Sequence, residues 1–303
     1  GECMETPPLA SRWNIWLGAM RLRTLPAAVS PVLVGGTLAW HDGYFDPVAV
    51  TLCLLFALLI QIGANFANDY YDFLKGADTK ERVGPIRAVA SGQISPANMR
   101  TATWLVLGLG FGLGLLLVAW GGPWLVVIGV MSVVFAIAYT GGPYPLGYHG
   151  FGDVFVFIFF GLVAVGATYY VQSGQLTLEV MVMAIPIGLL ATNILLVNNY
   201  RDIHTDRIAG KMTTVVRFGR RCARGQFMAT LLISFSLPIA LVINGTDFRW
   251  LLPCLLIPMA WNQYKRLVDS KTPSELIKLL GDTGKLLALY SLLFALGVVI
   301  SRS

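Results

Sequence analysis

Long apolar stretches alternate with short polar ones along the whole chain. Nine of them, roughly 24–41, 48–67, 101–120, 123–140, 152–171, 180–198, 226–244, 248–264 and 285–301, are 17 to 20 residues long. At about 1.5 Å of rise per helical residue, each is long enough for a hydrocarbon core about 30 Å thick. The pattern predicts an all-α membrane protein of nine transmembrane helices, a single polytopic domain over residues 1–303. Two of the runs end in nearly the same polar burst. Asn68-Asp69-Tyr70-Tyr71-Asp72 is followed by Asp78, and Asn198-Asn199-Tyr200-Arg201-Asp202 by Asp206. Carboxylates at the ends of apolar helices are costly unless something positive binds there.

Composition agrees with the pattern. The chain is 56% hydrophobic and 13% charged, where a soluble domain carries about 25% charged residues. The net charge of +6 does not point to nucleic acid, because the basic residues follow the loops instead of forming a stripe. With nine spans, 20 of the 22 Lys and Arg residues fall on one side, and Arg249 and Arg302 fall opposite. The positive-inside rule makes the crowded side cytoplasmic. The N-terminus is then inside and the C-terminus outside. Residues 1–23 read as an interfacial segment with an amphipathic stretch at Trp13–Met20. Gly1–Arg12 has no apolar core, so no cleavable signal peptide is expected. Gly108, Gly110, Gly112 and Gly114 predict a close helix contact. Cys3, Cys53, Cys222 and Cys254 lack metal-site spacing, and no disulfide is expected.

The loops 68–100 and 199–225, both on the cytoplasmic side, are long and polar, and are read as catalytic. On a continuing helix, Asn65, Asn68 or Asp69, and Asp72 share one face, as do Asn198, Asp202 and Asp206. Such clustered acids need a counter-charge. Nearby Arg or Lys, protons and divalent cations are all open. Mg²⁺ takes one or two carboxylates with waters and substrate phosphates. Two facing Asn/Asp clusters therefore suit Mg²⁺ on a diphosphate, with Asn68, Asp69, Asp72, Asp78, Asn198, Asp202 and Asp206 as candidate ligands. Arg82, Arg87, Arg207, Lys211 and Arg217 are candidate diphosphate contacts. An ion-coupled secondary transporter is the rival class, since intramembrane carboxylates and pseudo-repeats mark those too. It fits less well with acids gathered at one membrane edge.

These motifs resemble those of the UbiA superfamily of intramembrane aromatic prenyltransferases. The carriers are Asn68-Asp69-Tyr70-Tyr71-Asp72 with Asp78, and Asp202-Ile203-His204-Thr205-Asp206. The spacing of Asp78, together with Arg23-Thr24-Leu25-Pro26, Arg82-Val83-Gly84-Pro85-Ile86-Arg87 and Tyr139-Thr140-Gly141-Gly142-Pro143-Tyr144-Pro145, is similar to the branch acting on 1,4-dihydroxy-2-naphthoate. The resemblance implies Mg²⁺-dependent transfer of a polyprenyl group from its diphosphate to that acceptor, with loss of CO₂, in menaquinone synthesis. It implies catalytic roles for Asn68, Asp72, Asp202 and Asp206, and a location in the inner membrane of a bacterial cell. Another acceptor such as 4-hydroxybenzoate is the alternative. Arg23 is the candidate partner of the naphthoate carboxylate, set against a plain positive-inside anchor. Tyr139 and Tyr144 are candidates to orient ring or cation, set against interfacial packing. Lys75 is a counter-ion or substrate ligand, and Asp153 an acid/base group or helix N-cap. His149 and His204 read as polar-surface residues.

Overall fold

The computed structural model describes residues 9–302, and all of its regular structure is helical. Cys3 and most of the Gly1–Arg12 stretch lie outside the described residues. Helix α1 (Leu9–Met20) lies ahead of the first membrane run, with Trp13 65% exposed and Trp16 edge-on to Phe66. At Arg21 the backbone turns left-handed (φ 52°, ψ 62°), and a short 3₁₀ turn, Leu22–Thr24, follows. Pro26 then opens α2 (Pro26–His41). Proline suits a first helical turn because its missing N–H would have no helical partner there. The two segments meet at 52°.

Helix α3 (Pro47–Leu74) is capped by Asp46, whose carboxylate accepts from Val48 N and Ala49 N. It carries the first acidic motif in its last two turns. Next come α4 (Pro96–Gly121) and α5 (Leu125–Ala138), then α6 (Gly152–Ser173), which widens into a π turn over Phe157–Val163. Helix α7 (Leu178–Arg201) ends in the second motif and is followed at once by the short α8 (Ile203–Ile208). Then come α9 (Thr214–Ile243), α10 (Ile257–Asp269) behind a 3₁₀ stretch at Phe248–Leu256, and α11 (Pro273–Arg302).

Each of the nine apolar runs is helical, but they are not equally able to span. Six helices are long and apolar enough on their own, or seven if the bent pair at residues 11–41 is one span. At 14 residues α5 rises only about 21 Å. The 248–264 run divides between 3₁₀ and α-helix, a change of helix type that a hydropathy window does not register. The fold is therefore an all-helical membrane protein with six or seven candidate spans.

Helix α7 sits at the centre, with 72% of its apolar window buried against 22% for α3 and α4. Glycine allows its approach to α6: a Cβ on Gly161 would stand 2.6 Å from Gly188 Cα. The glycines of α4 divide by face. Gly114 takes the Phe56 ring and Gly110 meets Leu59, while Gly108 and Gly112 face open space. Residues four apart share a helix face, so only that pair makes the expected contact with α3.

Candidate functional site

A cavity of about 290 Å³ lies among α2 to α7. Phe56, Phe111, Phe135 and Phe159 line its apolar length, and Arg21, Asn68, Asp72, Arg87, Asn198 and Lys211 gather at its polar end. The ends of α3 and α7 bring the two motifs to this one place.

Asp72 is 2% exposed. The Tyr148 hydroxyl donates to its Oδ1 at 2.6 Å, while Arg87 Nη2 and Lys211 Nζ stand 3.7 and 3.9 Å from its Oδ2. Lys211 also lies 5.2 Å from the centre of the Tyr148 ring and Lys75 lies 5.8 Å away. Burial and the adjacent Asp72 raise the Tyr148 phenol well above its ordinary range, so it stays a donor. Asn68 accepts from Thr140 Oγ1 at 3.0 Å. Asp78 accepts from Arg82 Nη1 at 3.0 Å, and burial pushes its carboxyl up. Burial works against the charge of Arg87, but Asp72 and Asp78 outweigh it and hold the guanidinium more firmly protonated than usual.

The second motif is neutralised differently. Arg201, 4% exposed, donates from Nε to Asp202 Oδ1 at 2.8 Å and from Nη2 to Asp202 Oδ2 at 3.0 Å and Asn198 Oδ1 at 2.9 Å. The Gly84 turn closes over it, since a Cβ there would stand 2.7 Å from Arg201 Nη2. Arg201 holds the position that Tyr71 holds in the first motif, so the repeat is not chemically symmetric. Burial raises the Asp206 carboxyl to about 7.

Several candidate residues have other work. Both oxygens of Asp69 accept backbone N–H groups, from Ala88 at 3.1 Å and Val89 at 3.0 Å, so Asp69 anchors the 82–90 loop. Asp153 accepts from Thr214 Oγ1 and Gln226 Nε2, both at 2.9 Å, tying α6 to α9; it neither caps its helix nor lines the cavity. Tyr144 is 55% exposed and stacks on His149 at 3.8 Å, away from the cavity, whereas Tyr139 lines it. Lys75 is exposed and reaches Gly142 O. Arg207 and Arg217 are exposed and outside the cavity. Arg23 is exposed against α11, and Arg21 lines the cavity instead. Arg21, Tyr148 and Arg201 are the site residues that sequence reasoning passed over. The only signal for Tyr148 was its place just after the quoted Tyr139–Pro145 stretch.

No three His, Cys, Asp or Glu side chains among the described residues form a ready metal cluster. The fit to Mg²⁺ rests on what is left unpaired. Asp78 Oδ2 and Asp206 Oδ2 are buried without a hydrogen-bond partner, and so is the donor Arg87 Nη1. Mg²⁺ keeps waters and draws part of its shell from substrate phosphates. Open carboxylate oxygens beside an open guanidinium donor suit a metal and a phosphate arriving together.

Among known proteins, the UbiA prenyltransferase family model matches residues 28–298. The 1,4-dihydroxy-2-naphthoate octaprenyltransferase of Escherichia coli (strain K12) is 38% identical over 301 residues, covering 96% of this chain and 97% of that protein. The enzyme of the same description from Haemophilus influenzae is 34% identical over 306 residues, covering 95% and 96%. Among solved structures, a UbiA homolog from Archaeoglobus fulgidus bound to DMAPP and Mg²⁺ aligns with TM-score 0.62 at 16% identity, covering 90% of this chain and 98% of that one. The matched residues include both acidic motifs and most of the cavity wall, and the chain belongs to the UbiA prenyltransferase family.

Proposed function

We infer that the chain transfers a polyprenyl group from its allylic diphosphate to 1,4-dihydroxy-2-naphthoate, releasing diphosphate and CO₂, as a step of menaquinone synthesis. The observation that carries this reading is the convergence of Asp72, Arg87 and Lys211 at the polar end of an aromatic-lined apolar cavity. The named activity of the relatives supplies the acceptor. Nine crossings, with the polar end of the cavity and the 68–100 and 199–225 loops on the cytoplasmic face, complete the reading.

Asn68, Asp72, Asp78, Asp202 and Asp206 would hold Mg²⁺, which supplies Lewis-acid withdrawal of charge from the diphosphate. Arg82, Arg87 and Lys211 stabilise the negative charge that grows on the leaving group as the allylic C–O bond breaks. The apolar walls hold the isoprenoid and keep water from the allylic cation. Tyr139, at the junction of polar and apolar lining, offers its ring face to that cation. Arg21 pairs with the acceptor carboxylate, the role expected of Arg23. The electron-rich ring attacks, a C–C bond forms, and the carboxylate leaves as CO₂.

Tyr148→Phe removes the 2.6 Å hydrogen bond to Asp72 and is expected to lower kcat by about 10- to 100-fold, the range for a hydrogen bond to a charged group. KM for the acceptor should change little, and steady-state kinetics checks both. A pH dependence follows from Asp206. Its carboxyl, at about 7, is protonated below that pH and must lose the proton to bind metal, so metal affinity rises with pH. Apparent Mg²⁺ affinity in the presence of a prenyl diphosphate should be about tenfold higher at pH 8 than at pH 6, as read by titration.

The functional reading is tested with purified protein, Mg²⁺, a polyprenyl diphosphate and each of several aromatic acceptors, recording product mass. Dihydroxynaphthoate should give the prenylated, decarboxylated product. Prenylation of hydroxybenzoate with none of dihydroxynaphthoate would overturn it.

A further inference from the structure

Gln61 lies on α3, seven residues and about two turns from Asn68 toward the apolar part of the cavity. It lines the cavity and is only 9% exposed. The surrounding network fixes its amide. Thr24 Oγ1 has one hydrogen and donates it to Arg21 O at 2.8 Å. It can therefore only accept from Gln61 Nε2 at 3.2 Å and from Asn65 Nδ2 at 3.1 Å. Asn65 Nδ2 is held in turn by Met20 O at 2.8 Å. An amide whose NH₂ must face Thr24 leaves its carbonyl elsewhere, and Gln61 Oε1 is buried without a partner. Of the cavity-lining residues within four positions of it on α3, Ala57, Ile60 and Ala64 have no side-chain donor, and the amide hydrogens of Asn65 go to Met20 O and Thr24 Oγ1. Native interiors rarely leave such a group orphaned.

We propose that Gln61 Oε1 accepts a hydrogen bond from a ring hydroxyl of the aromatic acceptor and thereby selects hydroxylated rings. The inference rests on the prenyl-transfer reading. Arg21 and Gln61 both belong to the Thr24 network, so one elbow would present a cation for the carboxylate and a carbonyl for the hydroxyl. A hydroxyl that donates a hydrogen bond pushes more electron density into its ring, which favours attack on an allylic cation. A site built to pair with a hydroxyl also rejects an analogue that lacks it, because its own buried group is then left unpaired.

The test uses binding, so that the intrinsic reactivity of the analogues does not enter. Dissociation constants are measured for 1,4-dihydroxy-2-naphthoate, for its two monohydroxy analogues and for 2-naphthoate, on wild type and on Gln61→Met. Wild type should lose about tenfold in affinity when one particular hydroxyl is removed, the size of one hydrogen bond. In Gln61→Met that difference should shrink to within about threefold, with 2-naphthoate affinity and the KM for prenyl diphosphate unchanged. Equal weakening of all four ligands marks a merely structural residue and overturns the proposal, as does an intact hydroxyl preference. If the variant does not fold, wild type alone decides: a loss under about threefold on removal of each of the two hydroxyls in turn overturns the proposal. Failure of wild type to prenylate dihydroxynaphthoate sinks the functional reading instead.

Discussion

Asp72→Ala lowers turnover by about 10³-fold or more, equivalent to about 4 kcal/mol of barrier, while the protein still folds. Tyr148, Arg87 and Lys211 all meet at this one carboxylate, from three different segments of the chain. Its loss removes the shared partner that sets the spacing of the two cations which face the leaving group. The fold survives because neither cation is stranded. Arg87 remains favoured by Asp78, and Lys211 keeps contact with solvent and the Tyr148 ring. Single-turnover product formation, alongside size-exclusion profile and thermal unfolding in detergent, checks both halves. Activity within tenfold of wild type would remove Asp72 from the centre of the site.

Asp202→Ala is expected to lose both activity and stability. Read from sequence alone, Asp72 and Asp202 are equivalent, and either alanine variant should insert and fold. Arg201 separates them. Its side chain is 2% exposed, and Asp202 is the carboxylate it pairs with. Burial works against the Asp202 carboxylate, yet Arg201 holds its pKa below the usual range. Removing one member of such a pair leaves an uncompensated buried charge, at a cost of about 3–5 kcal/mol. Asp202→Asn, which keeps an oxygen for the guanidinium, should unfold at a temperature between alanine variant and wild type. Equal unfolding temperatures for the Asp72 and Asp202 alanine variants would contradict this division of labour.

The comparison of these two aspartates shows what the sequence carried and what it did not. Helical spacing was enough to place Asn68 and Asp72 on one face and to bring the motif at Asn198 opposite, because helix periodicity and two apolar runs fix both ends. Arg87 and Lys211 could be named as partners from their place in the two loops, but spacing did not separate them from Arg207 and Arg217, which stand outside the cavity. The differences between expectation and structure lie mostly where the chain leaves regular structure. Arg23 gave way to Arg21 because the left-handed residue at the elbow sets which side chain turns inward, and no periodicity describes that turn. Tyr144 stacks on His149 outside the cavity while Tyr148 reaches Asp72, in a 139–150 loop that bends at Gly142 (φ 79°) and Gly150 (φ 83°). Asp69 looked like a ligand in a linear motif, but its partners, the Ala88 and Val89 N–H groups, come from a loop about 20 residues away. All nine apolar runs are helical, and six or seven of them are long and apolar enough to span by length and composition alone.

The central claim is that the two acidic motifs and their cations hold a diphosphate together with Mg²⁺. Calorimetric binding of a non-ionisable prenyl thiolodiphosphate to the purified protein, with Mg²⁺ and then with EDTA, tests it most directly. Wild type should bind in Mg²⁺, lose about 100-fold or more in affinity in EDTA, and recover when Mg²⁺ is restored; Asp72→Ala should bind weakly in both. Equal affinity of wild type with Mg²⁺ and with EDTA would contradict the account.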